Sequence, residues 1–208
     1  MDERGVAADD VREVVASAVT ALRGARDSDW SVPAGGLEWS CWETAEHIAD
    51  DLFAYAAQLA GGVTHRYIPF VRTARRPGAD TTTMQAETEA GPDGLFEVLT
   101  SCGGLLAAVV AVTPPDVRAC HTFGLGDTEA FAAMGVLETA VHTDDIARGL
   151  GVAWRPDDDV CARVLARLMP EVEIDDAGAW GTLLWATGRT ELGGRPHRDR
   201  WRWHNERS

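Results

Sequence analysis

A carboxylate and an imidazole lie one helical turn apart in the segment 126–151. These groups, Glu138 and His142, fall on the same face of a predicted helix at 3.6 residues per turn, and the rest of that face is mainly apolar. The face consists of Phe131, Met134, Gly135, Glu138, Val141, His142 and Asp145. Burying an ionised side chain is costly unless it is paired or bound to a metal, so this face needs a polar partner.

The sequence offers two explanations for the pair. Glu138 and His142 stand at positions i and i+4, so they can form an ion pair with each other and need no ligand. A third ligand would instead complete a metal site, because catalytic zinc sites use three nitrogen or oxygen ligands and keep one position open. His47, near the start of another predicted helix, is the candidate third ligand, although its place on the flank of that helix's apolar stripe is typical of a surface histidine.

Four predicted helices with long apolar faces must position these residues. The first helix starts at Asp10 with Glu13 and ends near Arg26, and the second starts at the capping box Ser40-Cys41-Trp42-Glu43 and ends at Gly61-Gly62. The third starts at Pro92 and ends at Pro114-Pro115. The fourth starts at Asp127 or Thr128 and ends at Gly149 or Gly151. No strongly alternating segment lies among them. The pattern predicts an all-α fold, an up-down four-helix bundle over residues 8–151.

The rest of the chain predicts smaller elements. Residues 152–208 form a short α or α+β extension that packs on the bundle, because it is too small to bury much surface alone. Short helices are expected within 157–169 and 175–188, and the RWRW segment near the end is expected to be extended. The long connection 62–91 could border a pocket, since connections of that length are usually functional or mobile.

The composition argues against several classes of protein. The formal net charge is -14, so no overall positive field attracts a phosphate backbone, and nucleic acid is not an expected partner. No apolar run approaches the roughly 20 residues of a membrane span, and the N-terminus lacks the basic start and apolar stretch of a signal peptide. The four cysteines are widely spaced, which favours free thiols. We therefore expect a cytoplasmic protein without a membrane partner, as a monomer or a homodimer.

Several motifs together carry a resemblance to a known family. A tryptophan-rich loop precedes a capped helix with WETAEHIADDL, and LETAVHTDDIARGLG follows after a long gap. This arrangement resembles the DinB-like bundle superfamily, and more closely its actinobacterial branch of mycothiol-dependent maleylpyruvate isomerase-like proteins. The family's metal triad is a histidine early in the second helix and a glutamate and a histidine four apart in the fourth. The resemblance therefore implies His47, Glu138 and His142 as metal ligands.

The resemblance also implies a chemistry. The metal would be a divalent ion, with Zn2+ first among the candidates and Ni2+ or Co2+ as alternatives, and mycothiol would be the thiol cosubstrate. A thiol bound at the open position loses its proton, because coordination stabilises the thiolate. The thiolate would add to a small electrophilic substrate, and the outcome would be isomerisation or S-transfer. The C-terminal part is shorter than the isomerase's second domain, so the resemblance implies a reaction class rather than a substrate.

Two further residues are candidates near the triad. Asp145, favoured at that position in the family, would orient a metal ligand or anchor the cofactor, or it would form a plain ion pair with Arg148. Arg189, in the family-like segment LLWATGR, would bind a carboxylate of the substrate or of the thiol, because a guanidinium pairs with carboxylates bidentately. His65 and His121 lie in predicted loops that could rim the pocket, although ordinary loop histidines are commoner.

Two alternatives to the thiol enzyme stay open at this point. The same cleft suits a non-catalytic bundle that binds a small molecule. It also suits metal-assisted hydrolysis, in which a bound water is the nucleophile. The three hypotheses share one set of residues and differ in what occupies the open position.

Overall fold

The computed structural model describes residues 4–206, and most of its regular structure is helical, as the sequence predicts. Two short 3-10 turns, Arg23–Ala25 and Thr88–Ala90, accompany the longer elements. These elements are α1 (Ala8–Leu22), α2 (Cys41–Gly61), β1 (Thr73–Ala74), β2 (Thr81–Thr82), α3 (Gly91–Val112), β3 (Ala119–His121), β4 (Gly124–Gly126), α4 (Thr128–Leu150), α5 (Asp158–Leu168) and α6 (Gly178–Ala186).

The central helix is α4. Its residues 130–147 are all buried, and it packs against α1, α2, α3 and α5. α3 also packs on α1 and α2. One continuous apolar cluster extends through all six helices, from Val11 in α1 to Leu183 in α6. Because each large apolar side chain contributes about 1.5–3 kcal/mol when it is buried, this shared cluster fixes α4 against its neighbours.

The predicted ends of α2 and α4 are confirmed. The Ser40 hydroxyl accepts a hydrogen bond from the backbone N–H of Glu43 at 3.1 Å, and the Glu43 carboxylate accepts one from the Ser40 N–H at 3.0 Å. Asp127 caps α4 by accepting from the Ala130 N–H at 2.8 Å. Gly151 ends α4 in the left-handed conformation, with φ of 68°. The register of both helices is therefore set by local residues, each cap contributing about 1 kcal/mol.

The predicted start of α1 at Asp10 is three residues too late. The N-cap is Ala7, and Asp10 is the third residue of the helix. Its carboxylate accepts a hydrogen bond from the Ala7 N–H at 2.8 Å, so it serves the helix start from inside the first turn. The same carboxylate pairs with Arg163 of α5 at 2.5 Å. The regular helix also ends earlier than expected, at Leu22, because the chain tightens there into a 3-10 turn.

The connections between helices carry two antiparallel hairpins. In the long connection before α3, β1 pairs with β2, with Thr73 opposite Thr82. Before α4, β3 pairs with β4, with Cys120 opposite Leu125. After α4, α5 packs on α4 and α6 packs on α5. The RWRW segment, residues 200–203, lies in neither a helix nor a strand.

One helical segment in the described part of the chain, Thr88–Val112, which includes α3, is both long and apolar. Its most apolar window of 18 residues has a mean hydropathy of 2.0, so by length and composition the segment could cross a membrane. The sequence predicted no such segment. Of its most apolar window, 44% is buried inside the protein. Leu95, Phe96 and Leu106 have no exposed surface. A core helix of a soluble protein has this composition too, and the structure fits a soluble protein.

The cysteines are free thiols, as predicted. Cys41, Cys102 and Cys161 are buried. Burial raises the pKa of the Cys41 and Cys102 thiols to about 11. Both thiols are therefore protonated at neutral pH and are poor metal ligands and nucleophiles.

Candidate metal centre

The structure brings the three predicted ligands together. One donor atom from each of His47, Glu138 and His142 lies within 4.8 Å of the others. Glu138 Oε2 is 3.2 Å from His142 Nε2, and the two imidazole rings stand nearly perpendicular with centroids 4.9 Å apart. Glu138 and His142 are each only 7% exposed. The apolar face of α4 therefore finds its polar partner on α2.

Close packing of the helices makes this approach possible. Gly135 lies one turn before Glu138, and a Cβ atom there would be 2.5 Å from a methyl group of Leu106 and 3.3 Å from one of Leu52. The absence of a side chain at Gly135 lets α2 and α3 come this near to α4 without displacement of Leu106. On the outer side, the Trp39 ring lies 4.7 Å from the His47 ring and covers it.

The donor set fits a divalent ion of the zinc type. Two imidazoles and one carboxylate form a known catalytic ligand set, and bonds of about 2.1 Å in a tetrahedron place ligand atoms about 3.4 Å apart. The Glu138 and His142 atoms are already at 3.2 Å. The third atom, within 4.8 Å of both, needs only a small side-chain movement to complete the set.

The protonation of the two histidines differs. Burial, and then the charge of His142, lower the pKa of His47 to about 4, so His47 is neutral at pH 7. Burial also disfavours the charged form of His142, but bonds to Asp145 and Glu138 outweigh it and raise its pKa to about 9. Burial raises the pKa of Glu138, but the bond from His142 outweighs this and lowers it. Without an ion, Glu138 and His142 therefore form a buried ion pair.

Asp145 orients His142 from behind. Its Oδ2 lies 3.1 Å from His142 Nδ1, which leaves Nε2 directed at the triad. Arg189 in turn binds Asp145, with Nη2 2.8 Å from Oδ2 and Nε 3.2 Å from Oδ1. Arg148 pairs with Asp144 at 2.7 Å rather than with Asp145. His142, Asp145 and Arg189 thus form one continuous series of hydrogen bonds.

The position of Arg189 bears on its predicted role. Its Nη1 also donates to the Thr187 carbonyl oxygen at 3.2 Å, so bonds within the protein engage Nε and both terminal nitrogens. Binding of a substrate or thiol carboxylate by Arg189 stays a prediction. The structure adds a second task for it, which is to hold Asp145.

Asp51 is a site residue that the sequence reasoning missed. Its Oδ2 lies 3.2 Å from His47 Nε2. Burial, and then the negative charge of Glu138, raise its pKa well above the ordinary value of an aspartate. The signal for it was present in the sequence, because Asp51 follows His47 by four positions on the same helix and so shares its face.

A segment of the long connection covers the α2 side of the centre. This segment, residues 72–86, is called the strap here. Three of its arginines each pair with a carboxylate on α2: Arg72 with Asp50 at 3.4 Å, Arg75 with Glu46, and Arg76 with Glu43 at 2.7 Å. The strap is therefore attached along two turns of the helix that carries His47.

Backbone hydrogen bonds reinforce this attachment. The N–H groups of Thr83 and Met84 donate to Asp50 Oδ1 at 2.7 and 2.9 Å, and the Ala86 N–H donates to Glu46 Oε1 at 2.8 Å. Charged hydrogen bonds of this kind are roughly twice as strong as neutral ones. As predicted, the connection borders a pocket, a cavity of about 20 Å³ that is lined by Trp39, Glu43, Glu46, His47, Arg75, Ala79, Asp80 and Thr82.

The other histidines lie outside the triad. His65 is exposed, and His121 stacks on Trp203 with ring centroids 5.4 Å apart. His197 and His204 face Asp199 and Glu171 at 3.6 and 3.5 Å. The structure thus gathers only the predicted three into a donor set among residues 4–206.

No family model, no curated protein and no solved structure matches this chain. The assignment of the site therefore depends on the geometry of its residues.

Proposed function

We propose that this protein is a metal-dependent enzyme that activates a low-molecular-weight thiol for S-transfer to, or isomerisation of, a small electrophilic substrate. The observation that carries the proposal is the convergence of His47, Glu138 and His142 within 4.8 Å at a mostly buried position. The donor set leaves room for a fourth ligand, which is the arrangement of catalytic rather than structural zinc sites.

Each residue has a stated role in this proposal. A divalent ion would supply a Lewis acid that favours the thiolate form of a bound thiol at neutral pH. His47 offers a neutral imidazole to it, and Glu138 offers a carboxylate that is ionised at pH 7. Asp145 keeps the Nδ1 proton of His142 in place, so that Nε2 is the binding nitrogen. Trp39 and the strap limit the access of water to His47.

The finer description of the protein follows from the resemblance of its motifs. On that basis α1 to α4 form an up-down bundle of the DinB-like type, and the segment after residue 151 is an extension packed on it. Mycothiol would be the thiol, Zn2+ the first candidate ion, and the cytoplasm the location. These assignments belong to the proposal, and the experiment below tests the chemistry directly.

Binding without catalysis is the second candidate. It uses the same donor set, because His47, Glu138 and His142 would hold an ion whether or not a reaction follows. A third candidate, metal-assisted hydrolysis, uses the same ligands with water as the nucleophile. Product analysis with and without added thiol separates the three, because only the first requires a thiol, which S-transfer consumes and isomerisation regenerates.

The decisive experiment combines metal analysis with turnover. The purified full chain is loaded with Zn2+, Ni2+ or Co2+, and bound metal is measured for wild type, His47→Ala, His142→Ala and the surface control His65→Ala. We expect one ion per chain in wild type and in the control, and little in the other two variants. Thiol-dependent conversion of a panel of electrophiles, to an S-adduct or to an isomer, should follow the same order.

Two results would overturn the proposal. One is the absence of stoichiometric metal in wild type, with His142→Ala behaving like wild type. The other is metal binding without any thiol-dependent conversion of the electrophiles, to an S-adduct or to an isomer, above the metal-free control. In the second case, products formed without added thiol would indicate hydrolysis, and the absence of products would indicate binding alone.

A further inference from the structure

A groove of about 570 Å³ adjoins the small cavity beside His47. Glu43 and Arg75 line both spaces, and Glu43 precedes His47 by one turn of α2. The groove has the volume of a small-molecule site, whereas the cavity of about 20 Å³ does not. A ligand in the groove would therefore lie next to the part of α2 that leads to the candidate metal centre.

Two indole rings and a proline form the apolar part of the groove. Trp30 and Pro33 come from the loop before α2, and Trp42 comes from the first turn of that helix. The Trp30 ring packs edge-on against Phe96 of α3, with centroids 5.6 Å apart, and its Nε1 donates to the Ala25 carbonyl oxygen at 3.0 Å. The wall is thus fixed before a ligand arrives, and its flat rings suit a flat ligand.

The charged side chains of the groove are largely neutralised by one another. Arg76 binds both carboxylate oxygens of Glu43, with Nε 2.7 Å from Oε1 and Nη2 3.1 Å from Oε2. Arg75 is bound in the same way by Glu46. The remaining charged residue of the lining, Glu38, is exposed, so water and salt screen its charge. A charged ligand would lose hydration here without gaining a free opposite charge, so an uncharged ligand fits better.

Trp42 supplies an unused hydrogen-bond donor at the groove. Its Nε1 is sealed from solvent and has no hydrogen-bond partner among residues 4–206, whereas the Nε1 of Trp30 has one. A buried donor without an acceptor is destabilising, and an acceptor on a ligand would remove that cost. Arg75 lies over the Trp42 ring, with Cζ 6.0 Å from the ring centroid. A ligand that reaches Nε1 must therefore shift this ring or a side chain next to it.

We propose that the groove binds a flat, uncharged aromatic group that carries a carbonyl oxygen, and that Trp42 Nε1 donates a hydrogen bond to this oxygen. The inference rests on the proposed function in one respect, because it assigns the aromatic group to the electrophilic substrate. The reactive part of that substrate would extend past Glu43 and Arg75 towards His47. Binding in the groove itself requires neither metal nor thiol.

The test compares three ligands of one shape and different charge: benzamide, benzoate and benzamidinium. Each is titrated into the metal-free full chain labelled with 5-fluorotryptophan, and fluorine NMR follows the signals of the eight tryptophans. We expect benzamide to bind most tightly and to shift the signals of Trp30 and Trp42. Trp42→Phe should weaken benzamide binding about 3- to 10-fold, the effect of one neutral hydrogen bond. It should leave benzamidinium binding unchanged, because that cation has no acceptor.

Trp185→Phe is the matched control. Trp185 does not line the groove, and its Nε1 donates to the Pro196 carbonyl oxygen at 3.0 Å. Its substitution should change the affinity for none of the three ligands. Because Trp42 Nε1 has no protein partner, Trp42→Phe loses no hydrogen bond of the folded protein, and the Trp30 signal still reports binding in this variant.

Four outcomes would overturn the groove site. They are no binding of benzamide, binding of benzoate or benzamidinium at least as tight as that of benzamide, shifts confined to tryptophans outside the groove, and equal benzamide affinity in wild type and Trp42→Phe. The first three are read from wild type and do not depend on the folding of any variant.

Failure of the proposed function is seen separately, in the thiol-dependent conversion of electrophiles. Benzamide binding that depends on Trp42, together with no such conversion, would remove the proposed reaction and retain the groove site.

Discussion

Arg189 binds both carboxylate oxygens of Asp145, although 44 positions separate the two residues in the chain. Asp145 in turn holds Nδ1 of His142 at 3.1 Å. The segment after α6 is therefore coupled to the central helix through the residue that orients a proposed ligand. Substitutions of the residues behind the proposed ligands should therefore also change metal binding.

Asp145→Asn should weaken metal binding without removing a ligand. The amide carries no charge to stabilise the oriented imidazole, and loss of such an outer partner typically lowers metal affinity about 10- to 100-fold. Competition with a chromogenic chelator measures the change. The matched control is Asp144→Asn, which alters the neighbouring carboxylate that pairs with Arg148. Equal affinity of the two variants would contradict the proposed role of Asp145.

Metal binding should release a proton at neutral pH. Without an ion, His142 is charged below its raised pKa of about 9, whereas the bound form needs a free Nε2 lone pair. Each ion should therefore displace about one proton at pH 7, and affinity should rise about tenfold per pH unit up to about pH 9. His47, with its pKa near 4, adds no slope in this range.

Calorimetry in two buffers of different ionisation enthalpy counts the released protons. Wild type should show a buffer-dependent heat near neutral pH that fades above pH 9. The same heat in both buffers at pH 7 would mean that His142 is already neutral in the metal-free protein.

Glu46→Gln should loosen the strap. The Glu46 carboxylate is 3% exposed and accepts bonds from Arg75 and from the Ala86 N–H, and a hydrogen bond to a charged group contributes about 1.5–3 kcal/mol. Hydrogen exchange of the strap amides should become faster, and a chelator should remove the metal more quickly. Asp9→Asn, at an exposed ion pair with Arg12, is the control and should change neither rate. Unchanged exchange in Glu46→Gln would show that the strap is held by other contacts.

Gly135→Ala should separate α4 from its neighbours. The new methyl group would meet Leu106 at 2.5 Å, and overpacking of this kind costs about 1–3 kcal/mol. The melting temperature and the metal affinity should both fall, because His47 would move away from Glu138. Gly104→Ala on α3, where nothing lies within 4 Å of the added atom, should be neutral or stabilising. Similar melting temperatures for the two variants would contradict the close-packing argument.

Local patterns predicted the elements that carry the triad. Helical spacing placed Glu138 and His142 on one face, and the capping box at Ser40 fixed the register of His47. The ends of α2 and α4 followed from short-range hydrogen bonds, which depend on neighbouring residues alone. The same logic misjudged Asp10, because a carboxylate can serve a helix start from the N-cap or from the third residue of the helix.

Such local patterns could not predict contacts between residues that are distant in the chain. The strap pairs Arg75 with Glu46 across 29 positions, in a connection that has no periodicity to reveal a partner. The bond between Arg189 and Asp145 is of the same kind.

The separation of the ligands along the chain has a consequence for folding. Glu138 and His142 are neighbours within α4, whereas His47 lies 95 positions before His142 and joins them only when α2 docks. An ion that binds only this docked form at a hundred times its dissociation constant would stabilise the fold by about 2.7 kcal/mol. Metal supply would then set how much of the newly made chain persists, as well as how active it is.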